Sequence, residues 1–123
     1  MPALATPTVT VYKKRFLIRN AKHWYSVATE AIACFVLEDR YVTVITLDRK
    51  QHPIGHSLEH LESLLNPEVF FRINRHSIVS YAAIAKIEPW FNSRLRIEPV
   101  ANFERELIVS RSRTAAFKEW LDL

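Results

Sequence analysis

Short runs of apolar and branched residues recur along the first half of the chain, and they predict β-strands. RFLIR (Arg15–Arg19) and WYSVA (Trp24–Ala28) are two such runs, and the residues NAKH between them fit a hairpin turn. AIACFVL is almost continuously apolar, as in a strand that is buried on both faces. YVTVITL follows with high β-propensity throughout.

A break and a short helix follow these strands. DRKQHPIG contains the only glycine of the chain, Gly55, and is predicted to be a break. SLEHLESLL then carries a stripe of leucines at helical spacing, with Ser57 placed as the N-cap. Asn66 and Pro67 end this helix after about two turns.

The second half of the chain returns to strands and closes with a helix. The predicted strands are FFRI, SIVSY, AIAKIEPW, RLRIEPV and ELIVS. In the first of them, Phe71 and Ile73 face one way and Arg72 and Asn74 the other. RSRTAAFKEWLDL is predicted to be helical because apolar residues recur at i, i+3 and i+4. We therefore predict a mainly β fold of about eight strands with one short internal helix and a C-terminal helix.

Length and composition are those of one globular domain. The chain has 123 residues, of which 49% are hydrophobic and 24% charged. Residues 1–14, rich in Pro and Thr, are predicted to be a linker or N-terminal arm, and residues 15–123 the domain. No secretion signal or membrane helix is visible, and the single Cys34 lies in an apolar run, so we expect a cytoplasmic protein with a buried thiol.

The residues give little support to metal binding or catalysis. His52, His56 and His60 recur every four positions, but Pro53 and Gly55 prevent a continuous helix there, and no cysteine or carboxylate completes a zinc site. One glycine cannot make a glycine-rich phosphate loop, and no serine lies in a glycine-flanked elbow. We expect neither an enzyme nor a bound cofactor.

Arginine dominates the positive charge of the chain and marks three polar loops. Eleven of the 17 basic residues are arginine, against 13 acidic residues, and a guanidinium suits phosphates and guanine edges. The loops are LEDRY, RINRHS and SRSR, each placed beside a predicted strand. Arginines at turns are usually only solvated. In the third loop, however, Arg111 and Arg113 stand at a helix start, which the helix dipole disfavours for cations and favours for anions.

The stretch FFRINRHSIVSYAAIAKIE resembles the strand–loop–strand signature of the LytTR DNA-binding domain. AIACFVLEDRYVTVIT, SLEHLESLL and ELIVSRS, followed by FKEWL, resemble the other parts of that family's pattern, in the right order from about residue 15 to residue 123. The chain departs from the pattern mainly in loops, at Arg40, Asn74, His76, Ser77 and Ser80.

The resemblance implies an elongated β domain that lays its loops on DNA. Such domains are usually the output half of bacterial response regulators, which a sensor kinase controls through a receiver domain, and they tend to occupy repeated half-sites. A receiver does not fit in 123 residues, so the resemblance implies either an excised output domain or a stand-alone one.

The resemblance also assigns residues to the three contact loops. Arg40 or Tyr41, then Asn74 with Arg75, then Arg111 fall at the contact positions of the family. Arg75 and Arg111 are the candidates for guanine, and Asn74 for adenine. The candidates for phosphate contacts are Arg72, Ser110, Arg113 and Lys118. His76 can do either or pack against its neighbours.

Two other functions are compatible with the residues. A β-rich module could bind an acidic protein partner through the arginine loops, with a shallower salt dependence than DNA binding. A single-stranded RNA binder would need exposed aromatic residues on a sheet, for which Trp90 and Phe91 are the candidates.

Overall fold

Ten β-strands and two α-helices are present in residues 11–123, the part of the chain that the computed structural model describes. The strands are β1 (Arg15–Arg19), β2 (Trp24–Ala28), β3 (Ile32–Glu38), β4 (Tyr41–Thr46), β5 (Gln51–Ile54), β6 (Phe70–Asn74), β7 (Ser77–Ser80), β8 (Ile84–Trp90), β9 (Arg94–Pro99) and β10 (Leu107–Val109). The helices are α1 (Leu58–Leu64) and α2 (Thr114–Leu121). The predicted fold class, mainly β with a short internal helix and a C-terminal helix, is confirmed.

The central element is a five-stranded antiparallel sheet in the order β5-β4-β3-β7-β6. Strand β3 lies in its middle, where Cys34 pairs with Ile45 on one side and with Val79 on the other. The run from Ile32 to Val36 is buried throughout. The prediction of a strand buried on both faces is therefore confirmed.

Each face of this sheet carries its own hydrophobic core. On one face Phe16 and Ile18 of the β1–β2 hairpin and the leucines of α1 pack against Phe35. On the other face the three-stranded sheet β10-β9-β8 and helix α2 pack around residues that include Cys34 and Val79. The five-stranded sheet is thus the middle of three layers.

The two helices form where the leucine and aromatic spacing predicts them. The Ser57 side chain accepts a hydrogen bond from the backbone N–H of His60 (3.1 Å), which is the predicted N-cap. Leu61 is fully buried, whereas Leu64 is only partly so. In α2, Phe117 and Trp120 are the buried residues.

The segment DRKQHPIG is not only a break, and that part of the prediction is wrong. Residues Gln51–Ile54 form β5, which pairs with β4 from Val42 to Ile45. Strand β5 is the edge of the sheet, and an edge strand tolerates the missing N–H of Pro53. The proline therefore marks an edge and does not exclude a strand.

Backbone hydrogen bonds join the domain to the two residues that precede β1. The backbone N–H of Lys13 donates to the carbonyl of Leu64 (2.9 Å), and Thr29 donates to the carbonyl of Lys14 (2.8 Å). Residues 13 and 14 are therefore hydrogen-bonded to the domain. Residues 1–10 of the predicted arm lie outside the described residues.

The only cysteine is a core residue. The side chain of Cys34 is fully buried, as predicted, and burial raises the pKa of its thiol to about 12. A thiol with this pKa is protonated at neutral pH and is a poor nucleophile.

We predict that Leu61→Ala lowers the free energy of unfolding by about 2–5 kcal/mol, because it removes a fully buried side chain and leaves a cavity between α1 and the sheet. Leu17→Ala is the matched control, since Leu17 is 49% exposed and its truncation should cost less than about 0.5 kcal/mol. Urea denaturation of both variants measures the difference. Equal losses would show that α1 does not cover a core.

Candidate nucleic-acid interface

The three arginine-bearing loops lie together at the end of the five-stranded sheet where β3 and β6 terminate. We call this end of the sheet the loop edge. Strands β3 and β6 both pair antiparallel with β7, so they run in the same direction and end at the same edge. The first loop, Asp39–Arg40, follows β3, and the second, Arg75–His76, follows β6. The third, Ser110–Arg113, follows β10 and leads into α2.

Hydrogen bonds connect these loops to one another. The backbone N–H of Leu37 donates to the carbonyl of His76 (2.7 Å), which joins the end of β3, just before the first loop, to the second loop. The backbone N–H of Ser110 donates to the carbonyl of Ile73 (2.9 Å), which joins the third loop to the end of β6. The loops are therefore held at fixed positions relative to each other.

A tight turn places Arg40 at the tip of the first loop. Glu38 pairs with Tyr41, which leaves only Asp39 and Arg40 in the turn. Asp39 adopts a positive φ of 54°, a conformation that Asp tolerates better than most residues. Arg40 and Tyr41 are both exposed, Tyr41 by 69%.

Exposed cations occupy all three loops and the face of α2 beside them. Arg40, Arg75 and Arg111 are exposed, and so is Lys118 on α2. None of these four side chains belongs to any of the six ion pairs present in residues 11–123. The loop edge therefore presents several cations outside any ion pair, with Asp39 as the one acidic residue within the three loops, and the second loop adds the exposed imidazole of His76.

Arg72 differs from these cations, because its guanidinium is bound within the protein. Its side chain is only 11% exposed, and it forms ion pairs with Glu62 (2.7 Å) and Glu59 (3.4 Å) of α1. It also donates to the backbone carbonyls of Asn74 (3.3 Å) and Arg75 (2.8 Å). Arg72 thus holds the second loop from beneath, a position that does not favour the predicted phosphate contact.

Asn74 is also bound to its surroundings. Its side-chain amide donates to the carbonyl of Ile108 in β10 (2.7 Å), and its side-chain oxygen accepts from the backbone N–H of His76 (2.7 Å). Both ends of the amide that would read adenine are occupied. Asn74 therefore links the second loop to β10, the strand that leads into the third loop.

The third loop is a single 3₁₀ turn (Arg111–Arg113) that leads directly into α2. Ser110 precedes this turn and is half-buried. Arg113 is also half-buried and donates to the carbonyl of Arg72 (3.2 Å), so only part of its guanidinium faces solvent. The side chain of Arg111 forms no hydrogen bond within residues 11–123, whereas its carbonyl accepts from the backbone N–H and from the hydroxyl (3.0 Å) of Thr114.

A second internal arginine, which the sequence pattern did not single out, supports the first loop. Arg105 donates to Glu38 at the end of β3 (2.7 Å) and to Gln51 of β5 (3.0 Å). The hydrogen bond to Glu38 raises the pKa of Arg105. Arg105 and Glu38 are 67 positions apart along the chain, so no local sequence pattern indicates this pair.

The three histidines that recur every four positions have separate surroundings. No group of three or more His, Cys, Asp or Glu side chains within residues 11–123 is placed to hold a metal ion. His52 instead bonds the hydroxyl of Tyr25 (2.6 Å), whereas His56 and His60 stack with 5.2 Å between ring centroids.

Neither helix within residues 11–123 has the length and hydrophobicity that a membrane span requires.

Comparison with known proteins assigns the chain to a family. The family model of the LytTr DNA-binding domain matches residues 22–122. The chain belongs to the LytTR DNA-binding domain family. The domain therefore binds DNA, and the resemblance seen in the sequence is confirmed.

Curated relatives and a solved structure agree with this membership. The sensory transduction protein LytT of Enterococcus faecalis is 30% identical over 106 residues, which are 86% of this chain and 43% of that protein. LytR of Staphylococcus epidermidis is 32% identical over 82 residues, which are 67% of this chain and 32% of that protein. The chain thus spans less than half the length of these relatives.

The solved structure is the LytTr DNA-binding domain of a Bacillus cereus protein described as a methyl-accepting/DNA response regulator. It superposes with a TM-score of 0.80 at 22% identity, covering 90% of this chain and 99% of that one. This likeness shows that the fold is the LytTR fold.

LytTR domains form a DNA-binding family and not a catalytic one, in agreement with the expectation of a non-enzyme. The acidic-protein partner, the alternative left open by the sequence, is not favoured by this membership. The roles of the individual loop residues stay predictions.

We predict that Asn74→Ala lowers the free energy of unfolding by about 1–3 kcal/mol, because the carbonyl of Ile108 and the N–H of His76 both lose their partner. Arg75→Ala is the control in the same loop and should change stability by less than about 0.5 kcal/mol. Chemical denaturation measures both. If the two variants are equally stable, Asn74 does not link the second loop to β10.

Proposed function

We propose that this LytTR domain recognises a specific sequence in double-stranded DNA by inserting its three loops into the grooves. The observation that carries the proposal is the hydrogen-bonded row of loops, from each of which an unpaired arginine reaches solvent. Because the loops are already fixed in the free protein, little conformational entropy is lost when they meet DNA. Uncompensated guanidinium groups on fixed supports suit both phosphate and base recognition.

Arg75 and Arg111 read base edges. Both are exposed, and neither takes part in the ion pairs described above, so each guanidinium is available for a bidentate contact with O6 and N7 of guanine. Arg40 and Tyr41 make the contact of the first loop. His76, which is exposed beside Arg75, adds a contact to a base or a phosphate.

Ser110, Arg113 and Lys118 contact phosphates and set the register of the domain on the duplex. Lys118 lies on the exposed face of α2, and Arg113 stands at its first turn. These contacts carry no sequence information of their own, but they fix where the reading arginines fall.

Arg72 and Asn74 position the second loop instead of touching DNA. Their partners are Glu62, the carbonyl of Arg75 and the carbonyl of Ile108, and exchanging these for DNA would leave buried or half-buried groups without partners. This assignment replaces the phosphate and adenine contacts expected from the sequence.

The domain acts as the output part of a bacterial transcription regulator in the cytoplasm. The named relatives are sensory transduction proteins of which this chain matches less than half, which supports a receiver domain and a sensor kinase as partners in a two-component system. Two copies of the domain occupy repeated half-sites in this proposal.

The test is selection from a random pool of duplex DNA, with wild type beside an Arg75→Ala/Arg111→Ala variant. Wild type should enrich one motif, and the variant should bind that motif more weakly by roughly 1–3 kcal/mol per arginine, with relaxed preference at the positions read. Two copies of the motif in the enriched sequences would support repeated half-sites, whereas a single copy would not.

A charge-matched variant, Lys22→Ala/Lys86→Ala, is the control. Both lysines are exposed and lie outside the three loops, in the β1–β2 turn and on β8. The control should keep the motif preference of wild type. If the loop variant and the control select the same motif with the same affinity, the loops are not the reading elements.

We predict that Lys118→Ala weakens binding to every duplex by the same factor and reduces the slope of log affinity against log salt by about 0.9. The reason is that Lys118 meets a phosphate and not a base. Fluorescence anisotropy with the selected motif and a scrambled duplex, over a series of salt concentrations, measures both quantities. A loss confined to the selected motif would make Lys118 a base-reading residue.

A further inference from the structure

A second set of cations continues the loop edge beyond the first loop, toward the edge strand β5. Val42 of β4 pairs with Ile54 of β5, so Tyr41 and Gly55 stand side by side at the same end of the sheet. His56 follows directly and is half-buried. The row of polar loops therefore does not end at Arg40.

His56 lies between two surface cavities. The first, of about 340 Å³, is lined by Arg40 and Tyr41 together with the segment 54–59. The second, of about 420 Å³, is lined by Lys13 and Arg19 together with the segment 53–56. His56 contributes to the walls of both.

Positive and titratable groups surround this position with little opposing charge. From the other elements, Arg40, Lys13 and Arg19 face the two cavities, and His60 of α1 stacks on the His56 ring at 5.2 Å. The one carboxylate among the lining residues, Glu59, is already paired with Arg72 (3.4 Å).

The positions of His56 and Lys13 are set by the core beneath them. The ring of Phe16, which is buried, meets the ring of His56 edge-on at 5.8 Å between centroids. The ammonium of Lys13 lies 5.3 Å from the centroid of the same Phe16 ring. One buried side chain thus supports both groups from below.

We propose that His56, His60 and Lys13 form a phosphate site that binds the DNA backbone next to the bases contacted by the first loop. The inference rests on the proposed function, because it places the duplex along the loop edge and extends it past Arg40. The ligand is the phosphodiester of DNA, and the contact does not depend on base sequence.

Protonation of His56 couples this site to pH. Burial, the neighbouring His60 and Lys13 all lower the pKa of His56, so the free protein holds it neutral near pH 7.5. A phosphate against the ring favours the imidazolium, so DNA binding takes up a proton. Affinity should therefore rise as pH falls from about 8 to about 6, the range in which histidine titrates.

The test measures affinity for the selected duplex between pH 6 and pH 8 by anisotropy, for wild type and for His56→Gln/His60→Gln. Wild type should bind several-fold more tightly at pH 6, and the double variant should lose most of this change while keeping the motif preference. His23→Gln is the matched control, because His23 is an exposed histidine in the β1–β2 turn. His76→Gln separates the contribution of the histidine in the second loop.

Lys13→Gln gives a readout that does not depend on histidine. It should reduce the salt slope by about 0.9 at every pH if Lys13 meets a phosphate. Far-UV circular dichroism and the midpoint of urea unfolding at each pH show that every variant compared is folded.

The outcomes separate this inference from the proposed function. If His56→Gln/His60→Gln keeps the pH profile of wild type and Lys13→Gln keeps its salt slope, the phosphate site is overturned, although the loops still read the motif. If wild type selects no motif but still binds duplex DNA in a salt-sensitive way, and the histidine variant changes this binding, the proposed function fails and the phosphate site remains.

Discussion

The hydrogen bonds between the end of β6 and the segment that runs from β10 into the third loop are the constraint on which the row of arginine-bearing loops depends. These bonds join the five-stranded sheet to the three-stranded sheet at one point, through the carbonyl of Ile73 and the side chain of Asn74. A backbone bond and an amide with both ends occupied allow little sliding between the two partners. Apart from these bonds, the third loop is positioned by the hydrogen bond from Arg113 to the carbonyl of Arg72 and by the packing of hydrophobic side chains, which has no directional preference.

The arginines of this LytTR domain fall into two groups that composition cannot separate. Arg72 and Arg105 bind carboxylates. Arg72 supports the second loop from beneath, and Arg105 supports the first, whereas the loop tips carry Arg40, Arg75 and Arg111. The presence of an acidic partner distinguishes a supporting arginine from an exposed one. For both Arg72 and Arg105 this partner lies on another secondary-structure element. The same residue type therefore holds the loops and supplies the charge that they present.

Local patterns were sufficient for the elements whose stability comes from a single face or from uniform burial. The strand Ile32–Glu38, the leucine stripe of α1 and the aromatic spacing of α2 all appear where the sequence predicts them. Strand β5 was missed because Pro53 argues against a strand unless the strand is known to be an edge, which is a property of the assembled sheet.

The partners of the site residues could not be read from the sequence for a related reason. The sequence identifies Asn74 and Arg72 as polar residues next to a loop, but their partners are 34 and 10 residues away. Only the folded chain shows that these side chains are occupied within the protein. The exposed loop tips differ in this respect, since the side chains of Arg75 and Arg111 have no distant partner. The family pattern alone is therefore enough to predict them as contact residues.

The sheet also sets the spacing between the first two loops, and hence the spacing of their contacts in the proposed complex with DNA. The first loop joins β3 to β4 and the second joins β6 to β7, so two strand positions separate their midpoints in the order β4-β3-β7-β6. Neighbouring strands are about 4.8 Å apart, which places the two tips roughly 10 Å from each other. Base pairs of B-DNA are about 3.4 Å apart along each strand, so this distance corresponds to about three steps. In the proposed complex, with the row of loops lying along the duplex, the first and second loops therefore contact neighbouring parts of one groove region.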